Sequence, residues 1–126
     1  MLEARIQQHF FEAADLLYQV ADSLSRPISE AAQAAVGCLT SGGKVLACGQ
    51  GADADLASWL CSALMLRFER DRPPLAAIAL GPQLARPLVA DTAAGSSDGL
   101  AAQVRALGHA GDLLVVFAGV RAGDAA

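Results

Sequence analysis

Apolar residues recur at three- and four-residue steps over 3–24, at Ile6, Phe10, Ala13, Leu17, Val20 and Leu24, which predicts a helix with one apolar stripe. Phe11, Leu16 and Tyr18 lie off that stripe, so the apolar surface is wide and the helix is expected to pack on two partners. Ser25-Arg26-Pro27 interrupts the pattern. Ser25 suits a cap and Pro27 the first turn of a second helix over 27–41, with Ile28, Ala32, Ala35, Val36 and Leu39 inward. Gly42-Gly43 stops it, because glycine adopts the left-handed stop conformation cheaply.

Lys44-Val45-Leu46-Ala47-Cys48 is a short apolar run that reads as a buried strand. The loop Gly49-Gln50-Gly51-Ala52-Asp53 follows, with Asp53 as N-cap of a helix over 54–69 that is apolar nearly all round. Pro73-Pro74 ends that segment, and 75–80 reads as a second strand. Residues 81–97 read as loop with a short helix around 84–90. Asp98 caps a helix over 99–107, Gly108 ends it, and Leu113–Phe117, β-branched and aromatic, is the third strand. Residues 119–126 read as loop. Strands alternating with helices predict an α/β fold with a parallel sheet.

The 126 residues amount to one domain, 54% hydrophobic and 17% charged, with a mean hydropathy of +0.39, which excludes a disordered chain. The longest apolar run, Leu56 to Leu66, is about half of the roughly 20 residues a spanning helix needs, and no cleavable export segment stands at the N-terminus. Net charge is −4 and the pI near 4.9, which argues against binding DNA or anionic lipid through bulk charge. Cys38, Cys48 and Cys61 lie in apolar runs without CxxC spacing and read as reduced core thiols, so the expected setting is cytoplasmic. A domain this small and this apolar has excess surface to cover, and self-association is the simplest way.

Three stretches carry a family resemblance: Gly49-Gln-Gly51 after a strand, Arg67-Phe-Glu-Arg-Asp-Arg-Pro73 followed by Ala77-Ile-Ala-Leu80, and Gln103-Val-Arg-Ala-Leu-Gly-His-Ala-Gly-Asp-Leu-Leu114. Together they resemble the sugar isomerase (SIS) domain, in the group that holds the phosphoheptose isomerases and the DnaA initiator-associating, DiaA-type members. The third stretch looks more like the initiator-associating members. The resemblance covers the whole chain but matches only about the first two-thirds of a family member. It implies a three-layer, Rossmann-like α/β fold, here without the C-terminal part. Residues 1–43 are expected to form a helical oligomerisation segment and 44–126 a partial SIS domain. It also implies a homotetramer and phosphosugar binding where strand ends meet helix N-termini.

The departures from the family pattern bear on function. The first loop of the family reads roughly Gly-Asn-Gly-Gly-Ser; here Gln50 stands for the Asn and Asp53 for the Ser. Asp53 and Asp55 satisfy the helix dipole themselves and repel a phosphate dianion. The positions of the isomerases' metal-binding His and catalytic Glu fall on Trp59 and Ala63, which neither coordinate a metal nor move a proton. The second, hydroxyl-rich phosphate loop becomes Ala118-Gly-Val-Arg-Ala-Gly123, where Arg121 is either an anion partner or a solvated surface residue. The ligand candidates are therefore Gly49, Gln50, Gly51, Asp53, Ala118, Gly119 and Arg121, with no catalytic residue, metal site or cofactor.

His9 reads as a surface or interface residue and His109 as an exposed turn residue, and no serine has a recognisable base beside it. Arg67, Arg70 and Arg72 with Glu69 and Asp71 form either a solvated helix end or a partner contact. Gly49-x-Gly51 lacks the third glycine of a dinucleotide fingerprint. The resemblance leads to a first expectation of a non-catalytic, carbohydrate-derivative-binding-type SIS oligomer. It would regulate replication initiation by binding a DnaA-type initiator, with a phosphosugar as a further ligand and no direct contact to nucleic acid or membrane. The alternatives are a sedoheptulose 7-phosphate (phosphoheptose) isomerase and a truncated, inactive SIS domain.

Overall fold

The computed structural model describes residues 1–86 and 95–119. Its elements run α1 (Leu2–Thr40), β1 (Val45–Gly49), α2 (Asp53–Met65), β2 (Ala77–Ala79), α3 (Gly95–Leu107) and β3 (Leu113–Phe117). The three strands form a parallel sheet in the order β2-β1-β3, with Val45 opposite Ala77 on one side and Leu113 on the other. The expected α/β architecture is therefore present.

β1 is central and apolar at every position but its last, so both of its faces can be covered. Val45 and Ala47 point to one side, where α2 packs through Ala57, Cys61, Leu60 and Leu64. Leu46 and Cys48 point to the other, where they meet Leu80, Ile78 and, from α3, Leu100, Val104 and Leu107. β3 is covered on the α2 side by Leu113, Val115 and Phe117, whereas Leu114 and Val116 on its other face are 44% and 59% exposed.

Contacts divide the chain into two compact units, Met1–Ala34 and Ala35–Ala126. The expected break at 25–27 does not occur, and α1 runs through Pro27. Proline removes one donor from the ladder, and the flanking turns keep theirs. The Ser25 hydroxyl donates back to Ala21 O instead of capping forward, and Arg26 pairs with Glu30 one turn on at 3.0 Å. Ile6, Phe10, Leu17 and Leu24 of the apolar stripe are exposed, as are Phe11, Leu16 and Tyr18.

The stop at Gly42-Gly43 forms as expected. Gly42 has φ +84°, its N–H donates to Leu39 O at 3.3 Å, and Gly43 N–H donates to Cys38 O at 2.9 Å. These two bonds close a Schellman motif.

Three further boundaries differ from expectation. α2 ends at Met65, not 69, because Leu66 is extended and the Arg72 guanidinium folds back onto the last carbonyls, Leu64 O at 2.7 Å and Ala63 O. α3 begins at Gly95, so Asp98 lies inside the helix and not ahead of it. β2 spans only Ala77–Ala79, although Leu80 N–H still donates to Ala47 O at 2.8 Å. Residues 81–84 form a bend and turn, and most of the expected short helix around 84–90 lies outside the described residues.

Candidate functional site

In open parallel sheets, ligands bind outside the carboxyl ends of the strands, where the strand order reverses. Here the reversal is at β1, which has β2 on one side and β3 on the other. The loop after β1 therefore stands beside both the loop after β2 and the end of β3.

Two glycines shape the first loop. A Cβ on Gly49 would lie 2.6 Å from the backbone of Asp53, so the strand-to-helix turn closes only over a hydrogen. Gly51 has φ +59°, a conformation glycine adopts at no cost. The loop then winds into α2 as a tight turn: Asp53, Ala54 and Asp55 N–H donate to Gln50, Gly51 and Ala52 O at 3.1, 3.2 and 3.2 Å. Ala52 occupies the N-cap position, and no side chain caps it.

Asp53 is thus not the N-cap that the sequence suggests. The three backward bonds already satisfy the donors a cap would serve, and the carboxylate turns across the crevice. Its Oδ2 accepts from Gly119 N–H at 2.8 Å, joining the loop after β1 to the end of β3.

A second tie closes the opposite wall. Gln103 of α3 is buried, with 8% exposure. Its Oε1 accepts from Gly81 N–H and its Nε2 donates to Gly81 O, both at 2.9 Å. One side-chain amide thus satisfies both polar groups of a buried glycine in the loop after β2. Gln103 is not among the ligand candidates that the sequence marks. The available signal was its place on the stripe Leu100, Gln103, Val104, Leu107, where a polar residue sits at an inward position.

Two adjoining cavities open between these ties. One, of about 310 Å³, is lined by Gly49, Gln50, Gly51, Gly81, Leu100 and Gln103 among others. The other, of about 350 Å³, is lined by Gln50, Asp53, Phe117, Ala118 and Gly119 among others. Six of the seven ligand candidates, Gly49, Gln50, Gly51, Asp53, Ala118 and Gly119, lie around this crevice. Arg121 lies outside the described residues.

The other candidates sit elsewhere. Trp59, 64% exposed, packs edge-on against Phe68 with ring centroids 6.1 Å apart, and neither Trp59 nor Ala63 lines either cavity. Arg67 pairs with Asp71 on the surface at 2.8 Å, and Arg72 is taken up in closing α2. His109 contributes a backbone N–H to Asp112 Oδ2 at 2.8 Å in the turn before β3. That carboxylate also accepts from Lys44 Nζ at 2.6 Å and Lys44 N–H at 3.0 Å, which holds it well below the usual carboxylate range. Among the described residues, no group of three His, Cys, Asp or Glu side chains is placed to hold a metal, and no helix is long and apolar enough to cross a membrane.

Comparison with known proteins agrees with this architecture. The family model described as "SIS domain" matches residues 8–120. The phosphoheptose isomerase of Methylibium petroleiphilum is 50% identical over 117 residues, which is 93% of this chain and 58% of that protein. The phosphoheptose isomerase of Aromatoleum aromaticum is 37% identical over 113 residues, 90% of this chain and 57% of that protein. Among solved structures, a phosphoheptose isomerase from Francisella tularensis superposes with a TM-score of 0.75 at 38% identity, over 92% of this chain and 61% of its own. The chain therefore spans about six-tenths of the length of the relatives it matches.

Proposed function

The chain belongs to the SIS domain family, and from that membership we propose that it is a carbohydrate-derivative-binding module of the phosphoheptose isomerase group that does not isomerise its ligand. The observation that carries this reading is the lining of the 310 Å³ cavity. Among the described residues it combines backbone, two glutamine amides and small or apolar side chains, with no titratable group. Such a lining can hydrogen-bond a polyol, since amides both donate and accept. Aldose–ketose isomerisation needs a base beside the substrate carbon. Asp53 lies in the neighbouring cavity with one oxygen bonded to Gly119 N–H, and the family positions for metal and base hold Trp59 and Ala63.

The test is a titration of the ¹⁵N-labelled chain with sedoheptulose. Saturable shifts confined to Gly49, Gly51, Gly81 and Leu100 amides support the reading; an unchanged crevice refutes it.

The names of the relatives favour a second reading, in which the protein is itself a phosphoheptose isomerase. Conversion of sedoheptulose 7-phosphate by the purified chain would establish it. The initiator-associating role rests on the resemblance of the 103–114 stretch and the vacated α2 positions, whereas the relatives named above carry the isomerase name. Light scattering with and without the N-terminal domain of a DnaA-type initiator tests that role and, in the same run, self-association. The uncovered apolar residues of α1 favour a homo-oligomer.

A further inference from the structure

We propose that Asp53 sets the ligand class of the crevice by occupying the place of an anion, so that the site selects an uncharged carbohydrate over its phosphate ester. The proposal rests on the carbohydrate-binding reading above and narrows it. A phosphate at strand ends is held by backbone N–H groups left unpaired at the start of a helix and in the neighbouring loop. Among the described residues, five such groups are already used. Asp53, Ala54 and Asp55 N–H donate into their own loop, Gly81 N–H donates to Gln103, and Gly119 N–H donates to the Asp53 carboxylate.

The carboxylate does more than consume one donor. The Cβ of a residue at 119 would lie 3.1 and 3.3 Å from its two oxygens, so the strand end closes over Asp53 itself. The carboxylate also lines the 350 Å³ cavity, with Asp55 in the same first turn of α2. An entering phosphate dianion would meet the Asp53 carboxylate and find these five donors already paired, where an anion site would use such donors to offset repulsion. A sugar hydroxyl meets the opposite situation, because it donates to a carboxylate and accepts from an amide. Asp53 therefore acts as a specificity-determining residue for the sugar against its phosphate ester.

The experiment compares the 126-residue chain with Asp53→Asn, which keeps the size and the acceptor for Gly119 N–H but removes the charge. Asp53→Ser is a second variant, in case the first does not fold. Inorganic phosphate is titrated first while the Gly119 and Gly51 amides are followed. The expected result is no saturable shift in the parent and a saturable shift in either folded variant. The same response in parent and folded variant, or phosphate binding by the parent, overturns the proposal.

Sedoheptulose and sedoheptulose 7-phosphate are titrated next. The parent is expected to prefer the unphosphorylated sugar at least tenfold, and the variants to lose that preference. Equal preference in parent and variant overturns the specificity role even if both sugars bind. Failure of either sugar to move a crevice amide in any of the proteins instead overturns the carbohydrate reading on which the proposal rests, with the phosphate arm still reporting on the charge of Asp53.

Discussion

Replacing Gln103 with leucine removes the one side chain that serves both polar groups of Gly81. The perturbation is nearly isosteric, so its cost is electrostatic and not a matter of volume. Gly81 is buried and Gln103 is 8% exposed, so water cannot take over either bond without opening the loop. Two buried peptide groups left unpaired cost about 1–3 kcal/mol each, and leucine returns about 1–2 kcal/mol through apolar burial. The net expectation is a loss within about 0–5 kcal/mol, centred on about 2.5 kcal/mol. With an unfolding entropy of about 2.1 cal/mol/K per residue over this length, that central value lowers the melting midpoint by about 9 °C. Urea unfolding at matched protein concentration measures it, since any self-association adds a concentration term. Gln103→Glu is a sharper control. It keeps an acceptor for Gly81 N–H but sets a carboxylate against Gly81 O, so it should cost at least as much as leucine at neutral pH. A loss below about 0.5 kcal/mol for leucine, or a benign glutamate, would refute the view that this clamp holds the β2 loop in place.

Other consequences can be checked on the same material. Asp112 is held well below its unfolded pKa by Lys44 and the His109 N–H, so its contribution to stability is full above about pH 4 and fades as pH falls below it. Asp112→Asn should lower stability at pH 7 and flatten the acid limb of a denaturation-midpoint series from pH 7 to 2.5; an unchanged limb would contradict the assignment. Gly51→Ala forces a side chain into φ +59° and should cost about 1–2 kcal/mol in urea unfolding. Gly49→Ala drives a Cβ to 2.6 Å from the Asp53 backbone and should cost about 1–3 kcal/mol and also displace the Gly119 amide resonance. Burial raises the pKa of the Cys48 and Cys61 thiols, and Cys38 is buried as well, so a disulfide reagent should titrate three thiols quickly only after denaturation.

Much of the fold was readable because its signals were local. The apolar run 113–117 became a strand with those bounds, and Gly42-Gly43 made the expected helix stop. Signals failed where residues that mark a boundary made other bonds. Ser25-Arg26-Pro27 carries the marks of a break, yet the helix runs through it, with the hydroxyl of Ser25 bonded back to the carbonyl of Ala21. Asp53 has the composition of a cap, but the tight turn from Gln50 to Asp55 had already used the donors it would have served. Arg72 ended α2 from eight residues downstream of Leu64, a contact that periodicity does not encode. The crevice was legible as a set of loops, Gly49–Asp53 and Ala118-Gly119, because glycines between strands and helices mark strand ends. Its geometry was not, since the Gln103 clamp depends on a pairing across 22 residues of chain.

The most direct test of the account is an isomerase assay on the purified chain. Sedoheptulose 7-phosphate is supplied at millimolar concentration, with divalent metal added, and product is followed over hours. With Trp59 and Ala63 at the positions of the isomerases' metal ligand and base, and the Asp53 carboxylate set against an anion, conversion is expected to be no faster than in the buffer control. Turnover near the about 10 s⁻¹ typical of enzymes, abolished by mutations in the crevice, would contradict the account and make the chain an isomerase in its own right.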